Sequence, residues 1–447
     1  MTSRRGFIRA GLTTVGTLAL RPFGLLPAMA QNTSNYRALV CVFLFGGNDS
    51  NNTVVPMDDT SFQAYTTLRG GLALPASQLT APVLSVSGAP YSFHGKLPDL
   101  ANLFGSKELA VVANVGSLVQ PLTRAQYQQA QAPIPDNLFS HSDQQLQWQT
   151  SVAQGHSPTG WAGRAADYIA AQKINTSDFP VFLSVSGNVL EGTGASTQPV
   201  AVTPGQSLML QGFNNSKGSQ ARLSALTTLL TADTGVSLVQ AANQVMANSM
   251  ADAQALTNAL GKAPTLKTQF PKTSLGAQLH QVAQIMSVQS ALGMSRQIFF
   301  CSLGGFDTHV SELETHNTLY PQVNDALIAF YQATQELGMA EQVTTFTESD
   351  FSRTFQPTTG DGSDHAWGSN QLVLGGAVSG GQIYGQFPTF ELSGPNDADT
   401  RGRWIPTTAV DQYGATLASW FGIPDSALPS VFPNLANFPG AKLGFVG

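Results

Sequence analysis

A chain of 447 residues with 42% hydrophobic content can bury a sizeable core, in one large domain or in two to three smaller ones. Charged residues make up only 11%, and 27 acids outnumber 21 bases for a net charge of −6, which argues against nonspecific binding to nucleic acid or to anionic membranes. Two cysteines, Cys41 and Cys301, are too few for a disulfide-dependent scaffold.

The chain begins with "SRRGFIRAGLTTVGTLALRPFGLLPAMAQ": a charged start, an apolar middle and the small-residue stretch Ala28-Met29-Ala30. Ser3-Arg4-Arg5-Gly6-Phe7-Ile8 reads as a twin-arginine address, so residues 1–30 are expected to be a bacterial export signal, giving a periplasmic or secreted protein. A membrane anchor is the alternative, but Arg21 and Pro22 interrupt the apolar run and leave it short of a span. Without residues 1–30 the balance is 17 bases against 27 acids, a net charge of −10. No later segment is apolar enough to cross a bilayer.

Strand-like runs follow at 38–45, 109–114, 180–185, 297–303 and 342–347. Helical patterns lie between and after them at 96–105, 123–132, 142–153, 161–172, 274–294 and 316–338. Strands alternating with helices predict an α/β fold: a mostly parallel central sheet with helices on both faces. Such sheets bind ligands beyond the carboxyl ends of their strands. Residues 186–272 are rich in Gly, Ser, Thr, Asn and Gln, with a helix-like run over 218–261, and read as an inserted cap. Residues 354–370 form a long polar loop of the kind that often carries function, and 408–421 a last helix. The expected domain is thus residues 31–447, interrupted by 186–272.

Two strands end alike. "VCVFLFGGNDS" closes on Gly46-Gly47-Asn48-Asp49, and "FFCSLGGFDTH" on Gly304-Gly305-Phe306-Asp307. Glycines allow a tight turn and close approach to a ligand. An Asp past a strand can simply cap a helix, but two matching ends on central parallel strands would aim both carboxylates into one crevice. Each cysteine precedes one of these ends; a disulfide would need matched heights on neighbouring strands, and two buried thiols are the plainer reading. His309 makes an Asp-x-His pair with Asp307, suited to zinc or another first-row metal, unless it only bonds within its own loop. "TESDFSRT" adds Asp350 and Arg353 after a fifth apolar strand, and Arg353 could grip an anion bidentately or form an ordinary ion pair. "GSDHAWG" contributes Asp364 and His365 from the long loop. "NLFSHSDQQLQWQTS" opens a helix where Ser140 or Ser142 could be a capping residue or a nucleophile at the helix N-terminus. His94, His156, His280 and His316 are assigned to structure or surface.

In order along the chain, "FLFGGNDSNNTVVP", "LAVVANVG", "SHSDQQLQWQTS", "GWAGRAADY", "GGFDTH", "SDFSRT" and "DHAWGSNQLVLGGAVSGGQIYG" resemble the DUF1501 family of exported bacterial proteins, over about residues 38–385. That family is in turn similar to the alkaline phosphatase and sulfatase superfamily. The resemblance implies an alkaline phosphatase-like α/β sheet, a two-metal site at its carboxyl edge and a hydroxyl nucleophile. It implies Asp49, Asp307, His309, Asp350 and His365 as ligands of one or two divalent cations (Zn, Mn, Mg or Ca); the residues themselves add Asp364 as a ligand or a support and Arg353 on the substrate's nonbridging oxygens. The superfamily's Ser/Thr-Asp-His-Gly turn is here Ser349-Asp350-Phe351-Ser352, so its histidine is Phe351. Its nucleophile position falls on His141, between Ser140 and Ser142. The expected activity is hydrolysis of a small-molecule or glycan phosphate or sulfate ester. The alternative is a noncatalytic protein on the same scaffold, binding a metal, a glycan or an envelope partner.

Overall fold

In the computed structural model residues 35–447 are described, except 211, 214–215 and 233–234. The export-signal reading of residues 1–30 lies outside the described residues. Arg37–Gly447 form one compact unit.

The main sheet contains, in chain order, β1 (Arg37–Leu44), β2 (Leu109–Gly116), β3 (Phe182–Ser184), β4 (Val200–Ala201), β5 (Arg296–Leu303), β6 (Val343–Ser349), β7 (Ser369–Leu374), β8 (Ile383–Gly385) and β9 (Thr408–Ala409). Across the sheet the order is β8-β2-β7-β6-β1-β5-β3-β4, with β9 also paired to β2. β1 is flanked by β5 and β6, both parallel to it, and every one of its residues except Arg37 is buried. A strand buried on both faces needs a continuous apolar run, and "ALVCVFL" supplies it. β7 is antiparallel to both β2 and β6, so the sheet is mixed though mostly parallel. All five strand-like runs of the sequence are strands. β7 was not expected, because its first residues fall inside the polar loop read at 354–370.

Leu39, Cys41 and Phe43 alternate along β1 and share a core with Trp161, Ala165 and Ile169 of helix Trp161–Ala171 and Tyr413 and Leu417 of helix Val410–Phe421. Helix Ser274–Ser287 packs on β5 and on helix Glu312–Glu336. The register sets Cys41 opposite Phe300 and Cys301 opposite Val42, so the two thiols lie on opposite faces of the sheet, and both are free.

The expected helix at 142–153 starts one residue earlier and stops at Thr150, where Ser151 turns left-handed at φ 51°. The one at 316–338 starts four residues earlier, at Glu312, and runs on past Pro321. The stretch 274–294 is helical only to Ser287. The excursion 186–272 holds two helices, Lys217–Leu230 and Ser237–Leu260, in place of one run. Its first part is held by Asp167, which accepts from the Ala195 and Thr197 N–H groups at 2.7 and 2.8 Å.

Candidate metal centre

The parallel strands β1, β5 and β6 end side by side, and the two glycine turns that follow β1 and β5 lie against each other. Gly46 has φ +113°, and a Cβ there would overlap Asp307 N and come within 2.8 Å of Phe306 C. Gly47 has φ +83°, and its Cβ would stand 2.5 Å from the Phe351 ring. The double glycine therefore serves two ends: a left-handed turn, and room for the neighbouring turn that carries Asp307.

Asp307 is the hub. Its Oδ1 lies 3.2 Å from His309 Nε2, 3.4 Å from His141 Nε2, 3.5 Å from His365 Nε2 and 2.5 Å from Arg353 Nη2. His309 Nε2 and His365 Nε2 are 2.9 Å apart. The long loop brings His365 in by folding back on the chain after β6. Ser352 N–H donates to Trp367 O, Ala366 N–H to Ser352 O and Thr354 N–H to Asp364 O, at 3.1, 2.9 and 2.9 Å. The same loop clasps His309: Ser363 N–H donates to Thr308 O at 3.0 Å, and a Cβ on Gly362 would overlap the His309 carbonyl.

The imidazoles are oriented from behind. His141 opens helix His141–Thr150, and its Nδ1 is 2.6 Å from Asp350 Oδ2. A carboxylate can only accept, so Nδ1 carries a proton, and in the neutral ring Nε2 keeps its lone pair. His365 Nδ1 donates in the same way to Phe139 O at 2.7 Å. Asp364 steadies His365: its Oδ1 accepts the His365 N–H at 2.9 Å, and its Oδ2 is 3.0 Å from Arg403 Nη2 and 3.3 Å from Arg401 Nη1. Phe351, fully buried, sets its ring centre 4.7 Å from that of His141 and 4.8 Å from that of His365.

The electrostatics follow from these contacts. The Asp350 hydrogen bond raises the His141 pKa against its partial burial. Burial lowers that of His365, and the Phe139 carbonyl offsets only part of this. Burial works against a charged Asp307, but the Arg353 hydrogen bond and charge, helped by His141 and His309, prevail and hold its pKa below the ordinary carboxylate range. His141 Nε2 is buried and has no hydrogen-bond partner, with Asp307 Oδ1 at 3.4 Å.

Six of the ten sequence candidates thus meet at one point: His141, Asp307, His309, Asp350, Arg353 and His365. Their roles are not all those expected. Asp350 accepts at Oδ2 from His141 and from Gln145 Nε2 at 2.8 Å, and at Oδ1 from Gly46 N–H at 3.2 Å, so its carboxylate orients the His141 ring. Ser140 and Ser142 donate to Asp143 Oδ2 at 2.5 and 3.3 Å, and His141 is the residue of the three that meets Asp307 and Asp350. Asp364 groups with His309 and His365 as a further set of ligand atoms within 4.8 Å of one another. Asp49 belongs elsewhere. It caps helix Ser50–Thr53, pairs with Arg69 and accepts from Asn51 Nδ2 at 2.9 Å, in a buried group with Glu312 and His316. Burial, then the Asp49 charge, pushes Glu312 up to about 8, and burial pushes His316 down to about 3.

Gln145 was missed, although it stands four residues after His141 on the same helix face, a spacing that could have found it. The Phe139 carbonyl left no signal, because any residue has one.

Fold and site together define a mixed α/β protein with a histidine-rich cluster at the carboxyl edge of its parallel strands. A family model described as "Protein of unknown function (DUF1501)" matches residues 36–398, and the chain belongs to that family. No curated protein matches. Among solved structures, the chain is similar to Ps i-CgsB in complex with k-i-k-neocarrahexaose, at 10% identity and TM-score 0.33, over 89% of this chain and 76% of that one. It is also similar to the PsFucS1 sulfatase from Pseudoalteromonas sp. (10% identity, TM-score 0.31, 80% of this chain and 66% of that one). A protein of glycosaminoglycan metabolism in Bacteroides thetaiotaomicron gives 11% identity and TM-score 0.34, over 88% of this chain and 74% of that one. Among the described residues no helix is long and apolar enough to cross a membrane.

Proposed function

We propose that this is an exported, metal-dependent hydrolase of phosphate or sulfate esters, with a small molecule or a glycan as the esterified group. One observation carries the reading: three imidazole nitrogens surround one carboxylate oxygen at 3.2, 3.4 and 3.5 Å. Ligands about 2.0–2.1 Å from a tetrahedral zinc are about 3.3 Å from one another. The donor set fits such a cation. His141 Nε2 is buried without a hydrogen-bond partner, and His141 and His365 each have the far nitrogen held by an acceptor, as metal-ligating histidines do. Three imidazoles favour zinc over manganese, magnesium or calcium. His141, Asp307, His309 and His365 would hold the cation, which when bound polarises an ester oxygen.

The chain's own groups supply the rest. Asp350 fixes the His141 tautomer, and Asp364 and the Phe139 carbonyl fix His365. Arg353 is fully buried, donates Nη2 to Asp307 at 2.5 Å and keeps Nε and Nη1 without hydrogen-bond partners, so its charge favours an anionic group at the cluster. With the Ser140 and Ser142 hydroxyls engaged by Asp143, water is the nucleophile in this reading. This reading assigns one cation to the cluster, whose ligand atoms fall in two overlapping sets, His141–Asp307–His365 and His309–Asp364–His365, that share His365.

Two features, the engaged serines and Phe351, favour a second reading, in which the site binds a metal without catalysis. Metal content of the purified mature chain, followed by turnover of aryl phosphates and aryl sulfates with added Zn²⁺, Mn²⁺, Mg²⁺ or Ca²⁺, separates the two. The hydrolase reading expects turnover and an ion held tightly at this cluster, both lost in Asp307→Ala and His365→Ala. A held ion with no turnover on any ester leaves the binding reading. Wild-type protein that takes up no ion at this cluster overturns both.

A further inference from the structure

A second set of ligand atoms lies inside the core, under the sheet. Cys41 Sγ and carboxylate oxygens of Glu191 and Glu348 all lie within 4.8 Å of one another, and all three residues are buried. Glu348 pairs in register with Phe43, and Cys41 with Phe346, on the adjacent parallel strands β1 and β6. Cys41 and Glu348 thus project from the same face of the sheet, two residues apart in register. That face also carries Trp161, Phe346 and Tyr413, an apolar setting.

Glu191 comes from outside the sheet and is driven in by its backbone. Its N–H donates to Gln149 Oε1 at 3.3 Å, its carbonyl accepts from Gly163 N–H at 2.8 Å, and a Cβ on Gly160 would overlap it. Clamped so, its side chain is fully buried, and both carboxylate oxygens lack a hydrogen-bond partner. Glu348 Oε2 lacks one too. Among the described residues no Lys, Arg or His pairs with either glutamate. Two buried acids beside a thiol with no cation are costly unless they keep their protons or share a metal. Cys41 and Trp161 can each hydrogen-bond Glu348, but among the described residues nothing satisfies the two Glu191 oxygens, and a metal beside the sulfur would.

We infer that Cys41, Glu191 and Glu348 hold a structural divalent cation of the zinc type, a site separate from the histidine cluster. Zinc accepts thiolate at about 2.3 Å and carboxylate at about 2.0–2.2 Å, and Glu191 can offer two oxygens to complete four-coordination. All three groups bind deprotonated, so the cation offsets two of their three negative charges and leaves one in the core. Because the residues are buried, the ion enters as the chain folds and stays, adding to stability.

The inference stands apart from the proposed hydrolase, because only this site contains sulfur. Cobalt supplied during expression replaces zinc and gives a thiolate-to-cobalt charge-transfer band in the near ultraviolet; zinc-loaded protein gives a sulfur shell in X-ray absorption. The expected result is both signals from the full chain, retained in Cys301→Ser and in His365→Ala. Since the chain has two cysteines, survival in Cys301→Ser assigns the sulfur to Cys41 even if Cys41→Ser does not fold. Glu191→Gln should lower the retained cobalt at least tenfold after a chelator wash. Folded wild-type protein without a sulfur signal, or a signal lost in Cys301→Ser, overturns the inference and leaves a pair of protonated acids in the core.

Discussion

In the proposed site, Asp350 would serve a metal without touching it. Its Oδ2 accepts from His141 Nδ1 at 2.6 Å and from Gln145 Nε2 at 2.8 Å. This hydrogen bond aims His141 Nε2 at Asp307, and it also raises the His141 pKa. Asp350→Asn keeps the shape and loses the charge. We expect metal affinity, read by chelator competition, to fall about 10–100-fold at alkaline pH. Towards acid the deficit should narrow, because wild-type His141 takes up its proton first and so competes with the cation sooner than the variant does. Phe351 is the apolar counterpart. It is fully buried and packs both His141 and His365. Phe351→Ala should lower stability by about 3–5 kcal/mol in urea unfolding, and should weaken metal binding by freeing the two rings.

At the scale of the element, the paired glycine turns make a sharper test, because two glycines of similar φ differ in what surrounds them. Gly46 (φ +113°) has the Asp307 backbone against it, while Gly305 (φ +105°) has nothing nearer than Leu319 at 3.5 Å. Alanine at Gly305 should cost only backbone strain, about 1–3 kcal/mol. Alanine at Gly46 should cost that and about 1–3 kcal/mol more for overlap, and should displace Asp307. Metal loss in Gly46→Ala with retention in Gly305→Ala is the expected pattern; equal metal loss in both would refute the account of the turn.

These turns were legible because glycine pairs and an acid after an apolar run are local signals. The facing of residues 140–142 was not. It depends on the phase at which helix His141–Thr150 starts, and a one-residue change in that phase exchanges a serine for the histidine. β7 was hidden for a related reason: its chain leaves the polar loop without a turn signal and pairs antiparallel to distant strands. Asp49 looked like the twin of Asp307, yet Arg69, twenty residues on, takes its carboxylate. A partner that far along the chain has no spacing rule. Glu191 and Glu348 meet only through the fold.

Across the whole molecule, buried titratable groups outside the site set how stability varies with pH. Burial lowers His94 to about 4 and His316 to about 3. The folded state excludes their protons, and the unfolded chain accepts them below about 6.5. Their contribution to stability is therefore lost as pH falls from about 6.5 towards those values. Asp411 acts in the opposite sense. Burial raises it to about 7, though Asn434 N–H donates to its Oδ1 at 3.1 Å and Arg164 lies near. Between about pH 4 and 7 the unfolded chain ionises this carboxyl while the folded chain retains the proton, so wild type loses stability as pH rises through that window. Asparagine does not titrate there. The stability of Asp411→Asn relative to wild type should rise across the same window by up to roughly 4 kcal/mol, and level off above about pH 7. Urea midpoints taken across the window test this. A difference that stays flat with pH would mean that Arg164 keeps Asp411 ionised in the fold.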